Sequence, residues 1–212
     1  MKLTDAQLAA MLKMQESMNS KIDPNWRDRN NAWYRAAWVE CGELMDHVGW
    51  KWWKKQMPCG PQIDLELVDL WHFGLSDVLQ HSPATTAISS IQNLLSGNPS
   101  PNAVSQERQL RIVEEFAETT LREKRFPIRK FVELASAFGF SGDSLYRGYI
   151  GKNVLNRFRQ DHGYREGTYE KIWQGREDNE HLTEIVTDID PMAIEFEDVV
   201  YRELSQRYLT SK

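Results

Sequence analysis

The chain has 212 residues, 41% hydrophobic and 27% charged, with a net charge of −5 and an isoelectric point near 5.6. A chain this long hides about 70% of its unfolded surface on folding, which supports a substantial core and excludes the disordered classes, while the acidic balance argues against direct nucleic-acid binding, which calls for a basic footprint. No run of about 18 apolar residues occurs and the opening MKLTDAQLAA lacks the pattern of a secretory leader, so a cytoplasmic location without membrane contact is expected; Cys41 and Cys59 alone suggest neither a disulfide framework nor a thiolate zinc site.

Thr4 followed by Gln7 reads as a capping box, after which Leu8, Met11, Leu12 and Met18 recur at helical spacing to about Ser20. The polar DPNWRDRNN leads to a second helix, about Asn31 to His47, with the stripe Trp33, Ala37, Cys41, Leu44 and Val48. MPCGPQ ends the aromatic segment that follows, and Leu67, Leu70, Trp71, Gly74 and Val78 predict a third helix between about Ile63 and Gln80. HSPATT and SGNPSPN bracket a short apolar piece from Ile88 to Leu95, read as a turn-rich insertion over about residues 81–104. A Glu-rich helix runs from about Ser105 to Glu123, Pro127 opens another that Gly139 closes, and a sixth spans about Asp143 to Gln160. Asp190 and Pro191 read as the start of a last helix with the face Phe196, Val199, Val200, Leu204 and Tyr208. No alternating strand pattern flanks a hairpin turn. The predicted fold class is all-α, a helical bundle forming a single domain over residues 1–212.

The second and third helices each carry two carboxylates three residues apart, Glu40 with Glu43 and Glu66 with Asp69, separated by 22 residues. Like charges at that spacing repel unless a cation or solvent accommodates them. Each pair falls on the flank of its apolar stripe, so antiparallel packing of the two helices would gather four acids in one groove. Oxygen-only ligands select hard cations, Mg²⁺ ahead of Zn²⁺, and Mg²⁺ completes its octahedron with water and phosphate. The pattern therefore points to a phosphorylated substrate and chemistry at phosphorus. The competing reading is four solvated surface charges, because periodicity does not show that the helices meet.

GYIGKNVLNRFRQDHGYREGTYEKIW supplies cations for such a substrate in Lys152, Arg159 and Lys171, with the amides Asn153 and Asn156. Lys152, Asn156 and Arg159 follow an i, i+4, i+7 series and share a helix face. A purely structural use is open too, with the Asn residues capping, Arg159 paired to an acid and Tyr164 packed. No Walker sequence is present, and His72 with Phe73, just past Asp69, suits either a sugar contact or the core.

At these residues the sequence resembles the dimeric, all-α dUTPase family, the dUTP diphosphatases of the all-α nucleoside triphosphate pyrophosphatases. The likeness runs through MQESMN, ECGELMDHVGWKWWKK, LELVDLWHF and, most specifically, KNVLNRFRQDHGYREGTYEKIW. It implies Glu40, Glu43, Glu66 and Asp69 as ligands of Mg²⁺, with Mn²⁺ as a substitute, and one of them, Glu43 for preference, orienting the attacking water. It further implies Lys152, Arg159 and Lys171 as phosphate contacts with Asn153, Asn156 and Tyr164 near the phosphates or sugar. Gln15, Asn19 and Trp53 match positions around uracil, and His72 and Phe73 match positions beside the deoxyribose. Arg165 stands where the family would lead one to expect lysine.

The implied reaction is hydrolysis of dUTP, and of dUDP, to dUMP with release of pyrophosphate or phosphate, by a homodimer that limits uracil incorporation into DNA. Two alternatives stay open. A related pyrophosphatase acting on another nucleotide such as dCTP would keep the four acids, and a non-catalytic helical binding protein would keep the fold.

Overall fold

The box at Thr4 forms: its hydroxyl accepts from the Gln7 backbone N–H at 3.1 Å while the Gln7 side chain accepts from the Thr4 N–H at 2.9 Å, opening α1 (Asp5–Ile22). The computed structural model describes residues 1–95, 102–187, 189 and 195–209, arranged as two compact units, Met1–Tyr146 and Arg147–Lys212. α2 (Trp33–Val48), α3 (Gly60–His81), α4 (Ala84–Leu95), α5 (Gln106–Glu123) and α6 (Ile128–Ala137) lie in the first unit, and α7 (Gly142–Asp161) begins there.

α3 is the core of the first unit. Residues 65–68, 70–72, 74–77 and 79 are all buried, so the helix is covered on nearly every side, as its high apolar content requires. Its main partner is α2, with α1 and α4 also against it, while α2 packs in turn on α5. α2 and α3 run antiparallel. At one end Trp33 stacks on Phe73 with ring centroids 6.4 Å apart and donates to Gln80 at 2.9 Å; at the other the His47 carbonyl accepts from Cys59 N–H at 3.0 Å. Ala37, Cys41, Leu44 and Val48 form the buried stripe of α2, with Trp33 only half-buried.

Cys41 sits within that stripe, 2% exposed, and donates to the Ala37 carbonyl at 3.2 Å. Burial, reinforced by the neighbouring Glu40 charge, pushes its thiol up to about 12, whereas Cys59 is exposed. Since the thiolate is the reactive form, native protein titrated with a disulfide reagent at mildly alkaline pH should give one fast equivalent, from Cys59, and the second only on unfolding. Two fast equivalents would contradict the burial of Cys41.

The structure departs from the sequence expectations in three places. The piece read as part of a turn-rich insertion is a full helix, α4, because Ala87, Ile91 and Leu95 recur at i, i+4, i+8 and bury one face. In the second unit a short hairpin, β1 (Ile172–Trp173) paired with β2 (Arg176–Glu177), appears where no strand is predicted. Its turn is Gln174–Gly175, with φ of 51° and 78°, the left-handed pair that tight hairpins need; two-residue strands are too short to show alternation. The hairpin runs directly into α8 (Asp178–Thr187), also unpredicted.

α9 (Phe196–Leu209) buries Phe196, Val200, Leu204 and Tyr208, with Val199 half-buried. The expected start at Asp190 and Pro191, and residues 96–101 of SGNPSPN, lie outside the described residues. Phe158 of α7 anchors this unit, with His162 stacked at 3.9 Å and Tyr208 and Trp173 set edge-on at 5.5 and 5.7 Å. No helix among the described residues is long and apolar enough to cross a membrane.

Candidate active site

The antiparallel contact of α2 and α3 brings three of the four predicted acids together. Glu40, Glu43 and Glu66 each offer a carboxylate oxygen within 4.8 Å of the other two. Glu66 is buried, at 4% exposure, Glu40 is half-buried and Glu43 exposed, so the cluster opens from the helix interface towards solvent. Asp69, one turn further along α3 and half-buried, is not part of this group. His47, one turn beyond Glu43, places Nε2 3.5 Å from Glu66 Oε1. A buried carboxylate beside two others is costly without a neutralising charge. The all-oxygen donor set fits a hard divalent ion such as Mg²⁺ or Mn²⁺.

Further along α3, α1 contributes Gln15 and Asn19, each 5% exposed, to a polar network with His72 and Ser76. His72 Nδ1 lies 2.8 Å from Gln15 Oε1, Gln15 Nε2 donates to Asn19 Oδ1 at 3.0 Å, and Asn19 Nδ2 donates to Ser76 Oγ at 3.0 Å. The sequence picks out Gln15, Asn19 and His72 but misses Ser76. Its signal was its place one turn after His72, as a hydroxyl within a largely apolar helix that is covered on nearly every side. Phe73, its neighbour, is half-buried against Trp33.

In the second unit, Lys152, Asn156 and Arg159 do converge, though on protein groups. Arg159 Nε and Nη2 donate to the two oxygens of Asp178 at 2.8 Å each, Tyr169 Oη–H donates to Asp178 at 2.8 Å, and Lys152 Nζ donates to Asn179 Oδ1 at 2.9 Å. Arg159 Nη1 reaches Asn156 Oδ1 at 3.4 Å. Burial opposes ionisation of Asp178, but the hydrogen bonds and charge of Arg159 outweigh it and hold the carboxyl below its ordinary value. The Tyr169 hydroxyl shifts upward, through burial and the adjacent Asp178. Tyr164 is exposed with its ring 5.8 Å from both the Arg159 guanidinium and the Lys171 ammonium. Asn153 is buried and Lys171 exposed. Asp178 and Asn179, at the start of an unpredicted helix, were not legible as partners of these cations.

Trp53 lies in the segment after α2 with Trp50 and Trp52, the rings edge-on at 5.2 and 5.5 Å. All three are exposed, Trp52 to 89%.

Fold and cluster define a class of all-α proteins in which carboxylates from two packed helices come within reach of one cation. The chain belongs to the dUTPase family, whose model, described as dUTPase, matches residues 7–164. The match takes in both acidic pairs, Gln15, Asn19, Lys152, Arg159 and Tyr164, and membership assigns the chain in general terms to dUTP hydrolysis. Comparison with curated proteins gives no match.

Proposed function

We propose that the protein is a Mg²⁺-dependent dUTP diphosphatase that converts dUTP to dUMP and pyrophosphate, and dUDP to dUMP and phosphate, and works as a cytoplasmic homodimer. The observation that carries this reading is the convergence of Glu40, Glu43 and Glu66 in a chain whose dUTPase match includes all three. These carboxylates, with Asp69, are the proposed metal ligands. A bound Mg²⁺ would supply positive charge against the negative charge that develops on the phosphate oxygens.

The chain's own groups take the remaining roles. Glu43, the exposed member of the cluster, orients the attacking water and accepts its proton, a contribution of about 10² to 10⁴ in rate. Lys152, Arg159 and Lys171, with Asn153, Asn156 and Tyr164, are assigned to the phosphates. Arg159 is held in a fixed plane by Asp178, the condition for a directional guanidinium contact. Gln15, Asn19 and Trp53 are assigned to the base, and His72 and Phe73 to the deoxyribose.

Pyrophosphate release from dUTP with and without Mg²⁺ tests the reading. Turnover should appear only with Mg²⁺ or Mn²⁺ and stop on chelation. Metal-independent turnover, or none with dUTP under any metal, would remove it.

A further inference from the structure

The polar network between α1 and α3 runs in one direction and closes on itself. An amide oxygen can only accept, so His72 carries its ring proton on Nδ1 and donates to Gln15, which donates to Asn19, which donates to Ser76. Ser76 completes the circuit by donating its hydroxyl to the His72 backbone carbonyl at 3.0 Å. Gln15, Asn19 and His72 are at most 6% exposed and Ser76 is fully buried.

Ser76 has one proton and gives it to His72, so its oxygen must accept from Asn19. That holds the amino side of the Asn19 carboxamide towards Ser76 and its oxygen towards Gln15. Turning Asn19 over would require the Ser76 hydroxyl to leave His72, Gln15 to turn and His72 to move its proton to the other nitrogen. The groups reverse together or stay as they are, which is the cooperativity expected of a buried network.

Amide orientation is what separates uracil from cytosine. Uracil presents an N3–H donor beside the O4 acceptor, while cytosine presents a bare N3 beside an amino donor, so a carboxamide that fits one must turn over to fit the other. We propose that Ser76 is a positioning residue that sets base choice: by pinning Asn19, and Gln15 with it, it holds the amides in the sense that uracil requires and cytosine is refused. This rests on the proposed assignment of Gln15 and Asn19 to the base.

Ser76→Ala removes the anchor with the loss of one oxygen from a helix that alanine favours. The test is calorimetric titration of parent and variant with dUMP and with dCMP, alongside pyrophosphate release from dUTP and dCTP. The parent should prefer dUMP. The variant should narrow the dUMP-to-dCMP affinity ratio at least about tenfold, chiefly by gaining dCMP, with the same narrowing in kcat/KM for the triphosphates. A residue that only supports the fold would lower both affinities together and leave the ratio unchanged. That result, a parental ratio in the variant, or a parent without preference between dUMP and dCMP would each overturn the inference. A parent that prefers dUMP, and loses the preference in Ser76→Ala, yet releases no pyrophosphate from dUTP would uphold the role of Ser76 and sink the diphosphatase reading alone.

Discussion

Glu66→Gln should abolish Mg²⁺-dependent pyrophosphate release from dUTP, by at least about a hundredfold, while the protein stays folded. Loss of a mere supporting partner of a metal ligand costs about 10- to 100-fold, and Glu66 is the buried member through which α3 enters the carboxylate cluster. Glutamine keeps the side chain's size, with an amide nitrogen in place of one oxygen, and takes one acid out of a crowded cluster, so the fold is relieved rather than strained. Turnover at saturating nucleotide, titrated with Mg²⁺ and accompanied by thermal unfolding, provides the check. Parental turnover with parental Mg²⁺ dependence would show that Glu66 is no ligand, and an unfolded variant would make it a structural acid.

Asp178→Ala should destabilise the protein by about 3–5 kcal/mol, the usual cost of leaving one partner of a buried ion pair uncompensated. Arg159 is the partner left behind: the two side chains are 10% and 1% exposed and share two 2.8 Å hydrogen bonds. The pH dependence has a definite sign. The Asp178 carboxyl lies below its ordinary value in the folded protein, so its stabilisation is complete above the unfolded value of about 3.9 and is lost as pH falls through the folded one. Urea unfolding should therefore show a parent-to-variant gap that is constant from neutral pH to about pH 4 and closes below it. A gap of under about 1 kcal/mol at neutral pH would place this pair among the exposed ones that contribute little.

The helices that carry the acids were legible because each has one side that must be apolar. The stripe of α2 fixed which way Glu40 and Glu43 face, and the face of Leu67, Leu70, Trp71 and Gly74 marked α3 as a helix, while its burial beyond that face, at Leu65, Val68, Leu75 and Leu79, emerges only in the structure. Pairing of the two across an antiparallel contact was not legible, since nothing local encodes which helices meet; that follows from α3 being covered on nearly every side. The amides Gln15 and Asn19 came from family likeness alone. Their closing partner Ser76 escaped because a serine within a helix ordinarily bonds back to its own turn, as this one also does. For Lys152 and Arg159 the shared helix face was legible, while the particular acid beside Arg159 was not: Asp178 lies 19 residues beyond it, past a hairpin too short to leave a periodic trace.

The division among the tryptophans gives the protein a built-in optical reporter. Trp26, Trp71 and Trp173 are 2%, 1% and 1% exposed, whereas Trp38, Trp50, Trp52 and Trp53 face solvent. A water-borne quencher such as iodide reaches the second group, whose emission is also the redder, and in part the half-buried Trp33, but not the first group. Any occupant that closes over the Trp50–Trp53 segment must withdraw those indoles from the quencher and shift the emission to the blue, with the buried three as an internal standard. Occupancy can then be followed in unlabelled protein, and with an analogue that is never cleaved, so that binding is timed separately from chemistry.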